Sequence, residues 1–380
     1  MKEMKKTTIM LALAVLLVAT SATLAFAEVK VGVIGSMTSG LAQLGQRQIN
    51  SAVLAAEEWN AKGGIKGQKI KLVIEDSGDS TTMAMTALDR VLNENVAAIL
   101  GPIYSFQLFA MFPEVQKEKI VLISTSGTRE LTQKNNPYYF RLYPHDGFIK
   151  KVCATFAAKE LKAKKPALMC VTTEYGKSGH EILVATLKEL GVEPAADTWH
   201  NKEDKDMTGQ LMTVKRANPD VIISQAHPPD TAQLLKQQHD LGLAIPHVAS
   251  SAASMPTVHD LVGQGMEGVY VEAAAEPNYD PDPKMQAWTK KYVEKFKTRP
   301  DSFAVPYYDS ANFLFQAIEA AGTNRQKIAE WLRANKHTGL AGKYAFDQEQ
   351  SGAFFAIIVQ YHMKDGKAIP TVVKKYDFTK

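Results

Sequence analysis

The chain has 380 residues, with 44 lysine and arginine side chains against 40 aspartate and glutamate side chains and a formal net charge of +4. This near balance argues against nucleic acid or an acidic surface as the partner. Only Cys153 and Cys170 are present, and a chain of this length buries a core without disulfides, so the fold does not depend on them.

The first 27 residues have the layout of a secretory signal peptide. A basic start precedes the apolar run 9–19, and residues 25–27 (Ala-Phe-Ala) form an A-x-A cleavage site. The run has eleven residues, short of the roughly 20 that a membrane-spanning helix needs. We therefore expect a mature chain that begins at Glu28. Because residues 20–28 contain no cysteine for a lipid anchor, we expect the exported chain to be free in solution.

After the signal peptide, short β-branched runs alternate with amphipathic stretches, a pattern typical of parallel strands joined by helical crossovers. In the first helical stretch, Ile49, Val53, Ala56 and Trp59 have helical spacing and form one apolar face. The first series of predicted elements is strand 29–34, helix 46–60, strand 70–75, helix 81–93, strand 97–100, helix 105–117 and strand 121–124. Together these elements would form one open α/β sheet.

A second series of the same kind follows residues 141–146. Its predicted elements are helix 147–161, strand 167–172, helix 178–190, strand 195–199, helix 208–217, strand 221–224, helix 229–242 and strand 247–249. Two such sheets in a chain of this length indicate two α/β lobes. Helices 284–296 and 307–321 come next, and residues 352–361 and 368–376 are predicted to form a closing β-hairpin.

The two cysteines fall on different predicted elements, Cys153 on a helix and Cys170 on the following strand. The axes of a packed helix and strand lie farther apart than a disulfide normally reaches. Two buried free thiols are therefore predicted, with a disulfide between them as the alternative.

Six short segments are the most informative motifs in the sequence. They are 31–45 (VGVIGSMTSGLAQLG), 60–67 (NAKGGIKG), 100–102 (LGP), 123–128 (ISTSGT), 174–176 (EYG) and 308–311 (YDSA). In series they resemble the branched-chain amino-acid-binding proteins of bacterial ABC transporters. The series covers nearly all of the predicted mature chain.

This resemblance implies a type I periplasmic-binding-protein fold, an α/β fold of two Rossmann-like lobes with open, mainly parallel sheets. It implies three hinge crossings, near Tyr143, Glu276 and Lys343. The implied bounds are 28–143 plus 276–343 for the N-terminal lobe and 144–275 plus 344–380 for the C-terminal lobe. The ligand would lie between the lobes at the carboxyl ends of the strands, where open α/β sheets bind ligands. The implied partners are the permease and ATPase subunits of an ABC transporter in the inner membrane, and the protein itself would be a monomer.

Two segments of the first lobe match residues that hold the ligand in this family. Ser105 begins a helix, where free backbone N–H groups attract anions, and the matching serine binds the ligand's carboxylate. Ser126, Gly127 and Thr128 match a segment that offers a backbone carbonyl and a hydroxyl to the ligand's amino group. The structural alternatives are a plain N-cap at Ser105 and an ordinary turn at 126–128.

Aromatic residues on either side of the predicted cleft are further candidates. Tyr175 matches a ring that closes over the ligand, a contact that costs little side-chain entropy. His227 falls where the family often has another tyrosine, and a loop histidine without ligand contact is an equal alternative. Tyr104 adds an aromatic ring where the family commonly has a small residue, whereas Leu44 replaces an aromatic one.

The charge at one position departs from the resemblance. Amino-acid binders of this family pair the ligand's ammonium with an acidic residue on a loop of the second lobe, and Ser251 occupies that position. A buried ammonium without a carboxylate is costly. We therefore expect a small carboxylate with an aromatic or apolar group, or an amide, with a hydrophobic or branched-chain amino acid as the other possibility. Asp309 could supply the missing charge, but we expect it to stabilise its lobe, paired with Arg141.

Enzyme motifs with a known mechanism give no support for catalysis. The sequence contains no G-x-S-x-G, H-E-x-x-H or P-loop, and His227, His239, His247 and His259 are too widely spaced for a local metal site. No catalytic residue, metal or cofactor is predicted. The predicted function is capture of a solute for an ABC permease; the alternative is a receptor that feeds a sensor or chemotaxis system. Both functions use closure of the lobes around the ligand.

Overall fold

The computed structural model describes residues 28–38, 40–202 and 204–378. The predicted signal peptide, residues 1–27, lies outside the described residues. Within the described ranges, no helix combines the length and the apolar character that crossing a membrane requires.

The strands fall into two large sheets and one small hairpin. They are β1 (Val29–Gly35), β2 (Ile70–Asp76), β3 (Ala98–Leu100), β4 (Val121–Ser124), β5 (Tyr139–Arg141), β6 (Pro166–Val171), β7 (Ala196–His200), β8 (Val221–Gln225), β9 (His247–Ala249), β10 (Tyr270–Ala273), β11 (Lys336–Thr338), β12 (Lys343–Ala345), β13 (Phe355–Lys364) and β14 (Lys367–Asp377).

The helices alternate with these strands. They are α1 (Ala42–Ala61), α2 (Thr81–Asn93), α3 (Ser105–Lys117), α4 (Glu130–Gln133), α5 (Asp146–Thr155), α6 (Glu174–Glu189), α7 (Thr208–Ala217), α8 (Pro228–Asp240), α9 (Pro256–Val262), α10 (Pro283–Phe296), α11 (Ala304–Ala321) and α12 (Arg325–Ala334). A π-helical turn, Phe156–Glu160, extends α5, and short 3₁₀ turns occupy Ser251–Ser254 and Gly263–Met266.

The predicted fold class is confirmed, because each lobe is built on an open and mainly parallel sheet. The first sheet has the order β2-β1-β3-β4-β5, and all its strands are parallel. The second has the order β14-β13-β10-β9-β8-β6-β7, in which β13 runs antiparallel to both of its neighbours, β10 and β14, and the other pairings are parallel. Strands β3, β4 and β6 are buried along their whole length, as expected for parallel strands covered by helices on both faces.

The chain passes between the two sheets after β5, after β10 and after β12. Between the last two passages, α11 packs on α1, and α10 also contacts α1. Tyr344 of β12 donates a hydrogen bond to Asp309 of α11 at 2.8 Å, which joins the β11–β12 hairpin to the same lobe. The residue bounds that we expect for the lobes stay a prediction.

The expected pairing of Asp309 with Arg141 is wrong. Asp309 is buried on α11 and accepts hydrogen bonds from the backbone N–H groups of Leu340 and Ala341 at 2.8 and 2.9 Å, besides the one from Tyr344. Arg141 instead donates to the carbonyl oxygen of Gly127 and to the hydroxyl of Thr132, at 3.4 and 3.1 Å. Asp309 therefore ties the loop between β11 and β12 to its helix, a role inside the lobe.

Three glycines in the second lobe have the spacing of the dinucleotide-binding fingerprint, G-x-G-x-x-G, at positions 263, 265 and 268. They lie in the turn Gly263–Met266 and the loop that leads into β10. The fingerprint must follow a strand and open a helix, whereas this segment follows α9 and opens a strand. The segment is therefore not a dinucleotide site.

The prediction of two buried free thiols is confirmed. Cys153 lies on α5, and its sulfur is 2.6 Å from Oε2 of Glu272. Cys170 lies on the central strand β6. Burial raises the pKa of Cys170 to about 12 and holds that of Cys153 well above its ordinary value, so neither forms a reactive thiolate near neutral pH.

We expect neither thiol to react with a water-soluble disulfide reagent while the protein is folded, because both are buried and protonated. Both should react promptly in concentrated guanidinium chloride, where the release of thionitrobenzoate measures them. A denatured chain that releases no chromophore without prior reduction would show a disulfide and contradict the structure.

Candidate ligand-binding site

A cavity lies between the lobes, lined by residues from both. Its apolar lining comes from Leu41, Leu44, Ile103, Tyr143, Ile149, Ala226, Pro228, Ala252 and Phe303. Its polar lining comes from Tyr104, Ser105, Ser126, Gly127, Asp146, Tyr175, His227, Ser251 and Glu272. Most of these residues follow or end strands β3, β4, β8, β9 and β10, so the cavity occupies the expected place at the carboxyl ends of the strands.

The structure brings the sequence-predicted residues together. Seven of the eight candidates line this cavity: Tyr104, Ser105, Ser126, Gly127, Tyr175, His227 and Ser251. The eighth, Thr128, contacts Ser105. Their contact with a ligand stays a prediction.

Three hydroxyl groups of the first lobe form a cluster at the start of α3. Oγ of Ser105 lies 3.3 Å from Oγ of Ser126 and 2.5 Å from Oγ1 of Thr128, and all three residues are buried. Tyr104 is the N-cap of α3, and its side chain does not cap the helix, so the N-cap residue supplies no side-chain acceptor to the first backbone N–H groups of α3. Hydroxyls and free N–H groups at a helix N-terminus form a suitable site for a carboxylate.

Two stacked rings of the second lobe face this cluster. Tyr175 lies in the first turn of α6, and its ring stacks on that of His227 with centroids 5.2 Å apart. Nε2 of His227 lies 3.2 Å from Oγ1 of Thr173, the residue that caps α6. Desolvation lowers the pKa of His227 to about 3, so its ring is neutral at physiological pH and supplies no positive charge to a ligand.

Loops of the two lobes meet at the mouth of the cavity. The ring of Tyr104 contacts that of His227 edge-on, with centroids 5.9 Å apart. Nζ of Lys202, from the second lobe, lies 5.0 Å from the centre of the Tyr104 ring and 3.6 Å from a carboxylate oxygen of Asp79 in the first lobe. The backbone N–H of Arg129 donates to Ser178 at 3.3 Å. These contacts join the lobes around the cavity.

Two acidic residues that the sequence analysis did not identify line the cavity, so the inference that Ser251 leaves it without a carboxylate is wrong. Asp146 is the first residue of α5, and Glu272 lies in β10. The backbone N–H of Ser251 donates to Oε1 of Glu272 at 3.2 Å, so the serine still contacts a carboxylate. The sequence signal for Asp146 was its place directly after the first predicted crossing.

These acidic residues have different surroundings. Glu272 forms a buried ion pair with Lys150 and also accepts from Cys153. Asp146 accepts a hydrogen bond from the side-chain amide of Gln225 at 3.3 Å through Oδ1 only. Burial raises the pKa of Asp146 to about 7. The cavity therefore combines an apolar wall, a hydroxyl cluster at the start of α3 and an acidic floor formed by Asp146 and Glu272.

Two lobes that enclose a ligand cavity between them define the class of two-lobed binding proteins. The family described as periplasmic binding protein matches residues 28–366, and the chain belongs to this family. The resemblance to branched-chain amino-acid-binding proteins is confirmed by similar proteins in both sequence and structure.

The leucine-, isoleucine-, valine-, threonine-, and alanine-binding protein of Pseudomonas aeruginosa is 26% identical over 339 residues, which cover 89% of this chain and 90% of that protein. A branched-chain amino acid transporter substrate binding protein from Streptococcus pneumoniae, solved in complex with isoleucine, superimposes with a TM-score of 0.83 at 25% identity, covering 91% of this chain and 99% of that chain. A solute binding protein of an ABC transporter from Rhodopseudomonas palustris, in complex with 3,4-dihydroxy benzoic acid, has the same fold, with a TM-score of 0.83 at 20% identity over 92% of this chain and 98% of that chain.

Proposed function

We propose that this protein is the extracytoplasmic solute-binding component of an ABC transporter, exported to the periplasm and active as a monomer. Its ligand is a small carboxylate: a hydrophobic or branched-chain amino acid, or an aromatic acid or amide. The observation that carries the proposal is the cavity, in which a hydroxyl cluster at the start of α3 faces an apolar wall and the Tyr175 ring. The similar proteins bind ligands of both kinds.

Binding begins at the first lobe in this mechanism. The ligand's carboxylate accepts hydrogen bonds from Ser105 and the N–H groups at the start of α3, while the segment 126–128 offers a backbone carbonyl and a hydroxyl to the amino group of an amino-acid ligand. Its apolar part packs against Leu44 and Phe303, which line the same cavity. These contacts use groups that are preorganised by the helix and by the strand before it, so little entropy is lost when the ligand binds.

Closure completes the site. A ligand held by the first lobe gains its contacts with Tyr175 and the acidic floor only when the second lobe approaches, so it stabilises the closed form by its differential affinity. The contacts among Tyr104, His227 and Lys202 also form only when the lobes meet. The permease recognises the closed form and receives the ligand without any covalent step.

A thermal-shift screen of the ligand-stripped mature protein tests this function. The compounds are aliphatic amino acids, aryl carboxylates and short amides. A ligand present at 1,000 times its Kd should stabilise the protein by about 4 kcal/mol, which raises Tm measurably. No stabilisation by any compound would contradict the proposal, whereas a hit supplies the ligand for the variants below.

We expect Ser105→Ala to weaken binding of the best ligand from the screen by roughly 10-fold to 100-fold, because a hydrogen bond to a charged group contributes about 1.5–3 kcal/mol. Calorimetric titration measures the change. The control is Ser51→Ala, which removes an equally buried hydroxyl of the first lobe that bonds to the backbone of α1. If Ser105→Ala binds this ligand with wild-type affinity, the ligand's carboxylate does not bind at Ser105.

We expect Lys202→Met to weaken binding of that ligand by about fivefold, through faster dissociation, because it removes one cation–π contact and one ion pair between the lobes, each worth about 0.5–1 kcal/mol. Stopped-flow fluorescence measures the dissociation rate. The matched control is Lys205→Met, an exposed lysine three residues further along the chain. Equal dissociation rates in the two variants would show that the contacts at the mouth do not hold the closed form.

A further inference from the structure

A second and smaller cavity adjoins the ligand cavity at the mouth of the cleft, and we call it the mouth cavity. Phe106 and Lys202 lie in its lining. Four residues line both cavities: Tyr104, Ser105, Tyr175 and His227. Because these side chains border both spaces, they form the partition between the ligand cavity and the mouth cavity.

The partition consists mainly of three aromatic rings, one from the first lobe and two from the second. Tyr104 immediately precedes α3, and its ring meets that of His227 edge-on with centroids 5.9 Å apart. The His227 ring in turn stacks on that of Tyr175, with centroids 5.2 Å apart. Tyr104 is therefore the first lobe's contribution to this row of rings, and the row is complete only when the lobes meet.

The Tyr104 ring is held in place on several sides. The residue is 4% exposed. Its ring lies 5.1 Å from that of Phe106, measured between centroids, and Nζ of Lys202 lies 5.0 Å from its centre. A ring packed in this way cannot move aside without losing these contacts, and a close-packed interior does not accommodate additional atoms without strain. The Tyr104 ring is therefore a fixed wall of the ligand cavity.

We infer that Tyr104 sets the upper limit on the size of the ligand, because its ring occupies the space that an additional aryl group of a larger ligand would need. Removal of the ring would join the two cavities, since Tyr104 borders both. An aryl group in its place would have Phe106, His227 and Lys202 as neighbours, as the tyrosine ring has. This inference rests on the proposed function, because it needs a ligand bound in the ligand cavity.

Size selection of this kind acts when the lobes close. Tyr104 and His227 belong to different lobes, so a large ligand can still reach Ser105 while the lobes are apart. An additional ring on the ligand then lies where the rings of Tyr104 and His227 must meet, and it keeps the lobes from closing. A ligand stabilises the closed form only as far as it binds that form better than the open one, so the larger ligand loses affinity.

The test uses three pairs of probes on the ligand-stripped mature protein, one pair for each class of compound in the screen: leucine with tryptophan, benzoate with biphenyl-3-carboxylate, and butyramide with 4-phenylbutyramide. The members of each pair carry the same charged or amide group, and the second has the greater aromatic bulk. In each pair whose smaller member binds, we expect the wild-type protein to prefer that member by about 10-fold or more. Tyr104→Ala should reduce this ratio to about threefold or less. Calorimetric titration measures all the affinities.

Tyr104→Ala also removes the contacts of the ring with His227 and Lys202, so it weakens the closed form with either member of a pair. The ratio within a pair cancels this common loss, whereas a ring that only held the lobes together would leave the ratio unchanged. Tyr104→Phe, the conservative variant, restores a ring of the same outline and with it the wild-type ratio. The matched control is Phe109→Ala, which removes from α3 an aromatic ring that lines neither of the two cavities.

An unchanged ratio in Tyr104→Ala, or a wild-type protein that binds the larger member of a pair as tightly as the smaller one, would overturn the inference and leave the proposed function intact. The absence of any stabilising compound in the wider screen would instead overturn the proposed function. If Tyr104→Ala does not fold, the wild-type ratio and Tyr104→Leu still give a decision. The leucine variant keeps an apolar side chain but removes the ring, so it should lower the ratio in the same direction.

Discussion

The buried ion pair between Lys150 and Glu272 is the contact on which the second half of the cavity depends. It joins α5 to β10, and through Glu272 it also holds the backbone of Ser251 and the thiol of Cys153. Removal of either partner would leave the other charge buried and unpaired, at a cost of about 3–5 kcal/mol. The pair therefore fixes the first turn of α5, where Asp146 lies, and the end of β10, where the chain leaves the lobe.

The first lobe forms its part of the cavity from uncharged groups, not from a buried ion pair. Its site is made of neutral hydroxyls and backbone N–H groups, placed by the ends of β3 and β4 and by the start of α3. Such groups attract a carboxylate without the need for a buried positive charge. The empty site therefore costs the first lobe little folding free energy. In the proposed function the two lobes divide the recognition of the ligand, with the hydroxyl cluster on one side of the cavity, the acidic floor on the other and the apolar wall between them.

Much of this arrangement follows from sequence patterns. Apolar periodicity predicts α2, α3 and α7 with the bounds that the structure gives, and a β-branched run predicts β4. The short strand β9 is predicted from its position at the end of the second alternating series of strands and helices. The family motifs bring Ser105, Ser126, Tyr175 and His227 to one cavity. The two large sheets follow from the same alternation of strands and helices.

The acidic floor could not be predicted from these sequence patterns. Glu272 and Lys150 are 122 residues apart, and β10 is a four-residue strand in which the glutamate interrupts the apolar run that would have marked it. Strands β5, β11 and β12 have three residues each, and they lie outside the two predicted series in which strands and helices alternate, so neither periodicity nor position indicates them. The charge of a site depends on which side chains are buried together. The sequence shows Ser251 at the family's acidic position, but it does not show that Asp146 and Glu272 reach the same cavity from other elements.

Small-angle X-ray scattering of the mature protein, stripped of ligand and then saturated with the best ligand of the screen, tests the central claim that the ligand closes the two lobes around itself. The account predicts a smaller radius of gyration in the saturated protein, because the second lobe approaches the first only when its contacts with the ligand form. An unchanged radius of gyration in the presence of a ligand proved by calorimetry to be bound would contradict it.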